Sequence, residues 1–197
     1  MIKIGLVGEA GAGKDTAAAY LCANYGLYRL AFADRMKWYF GMMHGLIGTV
    51  EEIRELVDAR KERAALISYG QAYREAYGED VWIEELFRDM DACWRWMEPA
   101  GFVVTDIRQQ NELDALRERG FVIVRVTAPL DVRIERMKER GDDFDPSFMR
   151  HHTETFAQTV EPDFEIDNGG KWIGLANQCD YIMRELQIRE SREEAMQ

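Results

Sequence analysis

The run Gly8-Glu9-Ala10-Gly11-Ala12-Gly13-Lys14-Asp15-Thr16 is the part of this chain best suited to chemistry on an anion. Its spacing, Gly8-x-x-x-x-Gly13-Lys14, is that of a phosphate-binding loop. Glycines let successive backbone N–H groups converge on a phosphate, and the Lys14 ammonium bridges the β- and γ-phosphates. Ala10 and Ala12 are small enough to keep such a cradle open. The loop is therefore expected to hold the polyphosphate of a nucleoside triphosphate, through Gly11, Ala12, Gly13, Lys14, Asp15 and Thr16. The hydroxyl that usually follows the lysine directly stands one place later, at Thr16, with Asp15 between. A dinucleotide fingerprint does not fit, because the sixth position counted from Gly11 is Thr16 and not glycine.

A phosphate loop works only between a strand and a helix. Ile2 to Val7 is a short apolar run that ends in glycines, and Lys14 to Tyr25 has helical composition, so the context is right. A second short strand is expected over 28–32, then a Met- and aromatic-rich helix over 36–46, whose methionines read as adaptable core. Thr49 and Glu52 form a capping-box pattern that starts a helix over about 50–66, with further helices over about 67–77 and 81–97. Parallel-sheet signals return at 102–105 and 121–126, with a helix over 111–119 between them and Gly120 as its stop. A helix over 130–140, an acidic loop, a short strand over 164–167 and a terminal helix over 172–188 complete the order, with a charged, frayed tail from Arg189. Strands alternating with helices predict one three-layer α/β domain over 1–197 with a parallel sheet of about five strands.

Composition narrows the partners. The formal net charge of -11 opposes binding to nucleic acid or to an anionic membrane surface. Cys22, Cys93 and Cys179 are odd in number and contain no CxxC pair, which fits a reduced compartment better than a disulfide framework. No apolar run reaches about 18 residues, so a soluble, cytoplasmic protein is expected. A homodimer is left open.

Gly13-Lys14-Asp15-Thr16, with its displaced hydroxyl, resembles adenylate-kinase-like P-loop nucleotide kinases, and in particular the phage-type deoxynucleoside monophosphate kinases. Other segments resemble that family in the same order: Phe32-Ala33-Asp34-Arg35-Met36-Lys37, Gly70 to Arg74, Gly78-Glu79-Asp80-Val81-Trp82, Thr105-Asp106-Ile107-Arg108 with Asn111-Glu112, His151-His152-Thr153-Glu154, and Ile166-Asp167-Asn168. The departures are Thr153 where serine is common, Tyr73 where glycine is frequent, and an atypical stretch over 38–66.

The resemblance implies a nucleoside-monophosphate-kinase-like P-loop fold, with a helical acceptor-binding region over 33–100 and a lid over 130–155. It also implies transfer of the γ-phosphoryl group of ATP, with Mg²⁺, to a (deoxy)nucleoside monophosphate. Against a background of -11, cations after strands stand out: Arg35, Lys37 and Arg108, with Arg74, Asp34 and Trp82, are expected to contact the acceptor. Asp34 could equally cap the helix that follows. Thr16 and Asp106 offer the hydroxyl and carboxylate oxygens that suit Mg²⁺. Arg133, Arg136 and Arg140 share one helical face, and Arg133 and Arg136 are the expected catalytic cations beside Lys14, Arg133 also touching ATP. The same face could instead be solvated and paired with Glu135 and Glu139. Rival functions are another small-molecule P-loop kinase, acting on dephospho-coenzyme A or a sugar acid, and a nucleotide-binding interaction protein without turnover.

Overall fold

A computed structural model describes residues 1–141 and 152–195. The chain divides into two compact units, Met1–Arg29 with Pro99–Gln197, and Leu30–Glu98.

The first unit is built on a parallel sheet whose strands are β1 (Ile2–Val7), β2 (Leu27–Leu30), β3 (Gly101–Val104), β4 (Val122–Thr127) and β5 (Phe164–Asp167). Their order across the sheet is β2-β3-β1-β4-β5. Ile4 of β1 faces Val103 of β3, Leu6 faces Val124 of β4, and Val126 of β4 faces Ile166 of β5, all in parallel register. Side chains of a strand alternate between faces, and β1 uses both. Ile2, Ile4 and Leu6 bury against Ala17, Ala18 and Leu21 of α1 (Lys14–Tyr25) and Leu175, Cys179 and Ile182 of α9 (Trp172–Ala195). Gly5 turns to the other face, where an added Cβ would meet Ile107, Ile123 and Leu116, the last on α6 (Gln110–Glu118). Helices thus cover both faces, and the expected three-layer α/β fold with five parallel strands is what the chain adopts. Two shorter helices, α7 (Leu130–Glu139) and α8 (His152–Thr159), lie between β4 and β5 in sequence.

The second unit holds α2 (Phe32–Met43), α3 (Val50–Arg60), α4 (Arg63–Tyr77) and α5 (Val81–Met97). Phe40, Ile53, Val57 and Leu66 form its buried centre. The capping box is made as the sequence predicts: the Glu52 N–H donates to Thr49 Oγ1, and the Thr49 N–H donates to Glu52 Oε2. Gly70 is a packing residue, since a Cβ there would press on the Met36 sulfur, and its carbonyl accepts from Trp82 Nε1 at 3.3 Å.

Three boundaries and one additional helix differ from expectation. The helix predicted over 50–66 stops at Arg60 because Lys61 takes a left-handed conformation (φ 54°). α2 begins at Phe32, so Asp34 sits inside its first turn and Ala31 holds the capping position instead. α9 continues to Ala195 in place of the expected frayed tail from Arg189. A helix, α8, occupies the end of the expected lid. The acidic loop Asp142–Pro146 and His151 lie outside the described residues.

One polar contact joining α1 to α9 makes stability depend on pH. Tyr20 and Tyr25 both donate to Asp180 Oδ1, at 2.7 and 2.6 Å. These bonds, Tyr25's first, hold the Asp180 carboxyl below its ordinary value of 3.8, while burial and the same bond push Tyr25 up to about 12. A carboxyl lowered on folding stabilises the fold above its unfolded pKa, near about 4, and that contribution is lost as pH falls through the folded value. Asp180→Asn should therefore flatten the acid limb of stability measured by denaturant titration from pH 6 downward. An unchanged limb would show that Asp180 titrates alike in both states.

Candidate functional site

The phosphate loop follows β1 and leads into α1, where Gly13 occupies the N-cap position with φ 99° and no side-chain cap. The first N–H groups of a helix have no partner within it and carry its positive dipole end, so an anion is a natural ligand there. Gly11 (φ 77°) and Gly13 need the left-handed region, and both are also tightly confined. A Cβ on Gly11 would strike the backbone of Arg133, and one on Gly13 would fall on the Asn168 side-chain nitrogen.

The carbonyls of five successive residues each accept from a side chain. Lys14 Nζ donates to Gly8 O at 2.6 Å and to Glu9 O at 3.2 Å. Arg133 Nε donates to Ala10 O at 2.9 Å, Arg136 Nη1 to Gly11 O at 3.4 Å, and Asn168 Nδ2 to Ala12 O at 2.8 Å. Arg136 Nη2 also donates to Asn168 O at 2.9 Å, and the Asn168 N–H to Thr127 O at 2.8 Å. The strand ends of β4 and β5 and the helix α7 thus brace the loop through its carbonyls. That division of polarity is what a site for a polyphosphate requires, because every carbonyl held by a donor is one fewer repelling the anion.

Arg133 departs from expectation. Its spacing predicts a place on an open lid face, yet it is only 3% exposed, bonded to the loop and ion-paired with Glu9. Arg136 does reach the loop, and Arg140 caps the end of α7. Thr16 and Asp15 are exposed on the first turn of α1, and Asp106 is half-buried just past β3. Arg108, in the same loop, is exposed, and its N–H donates to Glu112 Oε2 at 2.7 Å. Glu112 is buried and forms the capping box of α6, which accounts for its place in the Asp106…Glu112 motif.

Among the described residues no group of three or more His, Cys, Asp or Glu is arranged to hold a metal. Thr16 and Asp106 supply one hydroxyl and one carboxylate, donors that suit Mg²⁺ arriving with phosphate oxygens and water.

Within the second unit, Asp34 is buried and its Oδ1 lies 4.0 Å from Arg54 Nη1. Arg54 gives no signal in the sequence, since it lies in a helix of alternating charge that reads as a solvated face. Arg35 and Lys37 are not open cations. Arg35 donates to Asp89 through Nε at 2.8 Å, with its guanidinium 5.2 Å from the Trp38 ring centroid. Lys37 donates to Asp58 at 2.9 Å. Arg74 is half-buried on α4. Trp82 is 2% exposed and stacks on Tyr73, with ring centroids 4.7 Å apart, so it is a core side chain of this unit. Tyr73 also stacks on Tyr39 at 5.8 Å.

Residues 4–150 match the family model described as "AAA domain". The chain belongs to this family. A protein of Acanthamoeba polyphaga mimivirus, provisionally named a deoxynucleotide monophosphate kinase, is 28% identical over 153 residues, 66% of this chain and 75% of that one. Among solved structures, TT1252 from Thermus thermophilus aligns at 19% identity with a TM-score of 0.59, covering 94% of this chain and 97% of that one. Shikimate kinase from Acinetobacter baumannii aligns at 14% identity with a TM-score of 0.54, covering 96% and 94%. At these identities the two structures bear on the fold of this AAA-domain chain, and the fold agrees. Among the described residues, no helix is long and apolar enough to cross a membrane.

Proposed function

We propose that this chain is an ATP-dependent small-molecule kinase. The observation that carries the proposal is the loop Gly8–Thr16, whose carbonyls are engaged one after another while its lysine and the N-terminus of α1 remain the groups that suit a triphosphate. In the transfer, an acceptor oxygen bonds to the γ-phosphorus, the bond to the β–γ bridging oxygen breaks, and ADP leaves. Charge spreads over the transferred group, so catalysis rests on alignment and on cations. Lys14 exchanges its two carbonyl partners for phosphate oxygens, and Arg136, which reaches Gly11 O, is the α7 cation that serves beside it. Thr16 and Asp106 would hold Mg²⁺, which would supply neutralising charge to the triphosphate.

Two acceptor classes have support. A nucleoside monophosphate is favoured by the ordered sequence motifs and by the mimiviral relative's name. Its phosphate is largely dianionic at pH 7, so no base is required, and Arg74 and Arg108 are the cations proposed to contact it. A sugar-acid-type hydroxyl is favoured by the buried carboxylate Asp34 beside Arg54, because a hydroxyl must lose its proton and Asp34 is a suitable base. The fold shared with shikimate kinase accommodates this second reading.

Asp34→Asn separates the two once an acceptor is found by screening both classes with ATP and Mg²⁺ for ADP release. With a hydroxyl acceptor, kcat should fall by about 10²- to 10⁴-fold, the usual worth of general-base catalysis. With a nucleoside monophosphate it should fall by less than about tenfold. ADP release without any acceptor preference would count against both.

A further inference from the structure

We propose that Glu9 is a positioning residue, and that its pair with Arg133 sets the conformation of the phosphate loop and not the charge of the transition state. The inference rests on the reading of Gly8–Thr16 as a triphosphate site. Within that reading Glu9 is an anomaly: a carboxylate inside a loop built for a polyanion repels the ligand unless it is neutralised.

The surroundings of Glu9 show how it is neutralised. Oε2 forms an ion pair with Arg133 Nη1, and Oε1 accepts from Gln158 Nε2 at 3.1 Å. Arg133 comes from α7 and Gln158 from α8, so one carboxylate ties two helices to the loop. The guanidinium of Arg133 is buried, and a buried cation is tolerated only when it is paired and hydrogen-bonded. Glu9 supplies the charge, and Ala10 O, at 2.9 Å from Nε, supplies the second bond. The backbone of Arg133 in turn closes on Gly11, where no side chain would fit. Glu9, Ala10 and Gly11 are therefore all fixed by one residue of α7. The loop's own turn depends on the same place, because the Ala12 N–H donates to Glu9 O at 3.2 Å. Arg133 is thus engaged in holding the loop through a buried ion pair, whereas Arg136 holds it through two carbonyls, Gly11 O and Asn168 O.

Charge and position predict opposite effects on ATP. If Glu9 acted through its charge alone, Glu9→Gln would remove a repulsion and tighten ATP. If Glu9 positions the loop, the same change weakens ATP because the amides no longer converge. The test uses the full chain with Glu9→Gln, Arg133→Met and the double variant. Two readouts are taken: amide hydrogen exchange in the ligand-free protein and calorimetric binding of ATP with Mg²⁺.

In each single variant the Ala12 amide should exchange about tenfold faster or more, while amides in the body of α1 stay unchanged. The double variant should exchange no faster than the faster single, since both changes break one contact. The dissociation constant for ATP should rise about fivefold or more in Glu9→Gln. Unchanged Ala12 exchange in Glu9→Gln, tighter ATP binding, or multiplying effects in the double variant would each overturn the proposal. Glu9 is partly exposed, so Glu9→Gln carries the test even if Arg133→Met fails to fold. Exchange is read without nucleotide, so a wild-type chain that binds no ATP would defeat the kinase reading while the exchange data still judge the pair.

Discussion

Lys14→Ala is expected to lower kcat by about 10³-fold or more while leaving the fold intact, the range seen when a preorganised electrostatic donor is removed from a transition state. Lys14 is the first residue of α1, and its ammonium bonds to carbonyls of the loop it serves, Gly8 O and Glu9 O. Those bonds are local to the loop, so their loss costs little stability. Circular dichroism and thermal unfolding should match the wild type, and single-turnover ADP formation should be nearly absent. A folded Lys14→Ala protein with wild-type turnover would remove the loop from the mechanism.

Gly13→Ala should have the second largest effect, and it acts through geometry. The new methyl group would occupy the place of Asn168 Nδ2, and the left-handed φ of 99° adds strain for any residue with a Cβ. Such strain is worth about 1–3 kcal/mol, and relief requires Asn168 to release Ala12 O. ATP affinity should then fall by about 10²-fold, equivalent to about 2.8 kcal/mol at about 1.4 kcal/mol per tenfold change. Combining Gly13→Ala with Asn168→Ala removes the clash but not the backbone strain. The double variant should therefore regain part of the stability and little of the affinity. Full recovery of both would mean that the backbone conformation at Gly13 is immaterial to binding.

Features set by near neighbours along the chain are legible in the sequence alone. The glycines and lysine of the loop, the capping box at Thr49 and the alternation of strands and helices all depend on residues a few positions apart, and all are found. Features set by distant partners are not legible in this way. Arg35 meets Asp89 from 54 positions away, and Arg133 reaches Ala10 across 123. No local pattern distinguishes either arginine from one that waits in solvent for a phosphate. Glu9 reads as a filler position of the motif, and Gln158 carries no signal at all. Asn168 can be found because it follows β5 directly, at the strand-end edge where sites of open α/β sheets form. The break at Lys61 escapes a sequence reading because lysine is an ordinary helix residue, and nothing in its type marks the left-handed conformation that it takes.

Phosphoryl transfer from ATP to a small molecule can be followed directly with γ-labelled ATP. The wild-type chain and Lys14→Ala are incubated with Mg²⁺ and a panel of nucleoside monophosphates and hydroxy acids, and the label is traced by chromatography. With wild type, and not with Lys14→Ala, label should move onto one acceptor class in equal amount to the ADP formed. Label that stays on ATP, or appears only as free phosphate whatever acceptor is present, would contradict a kinase function.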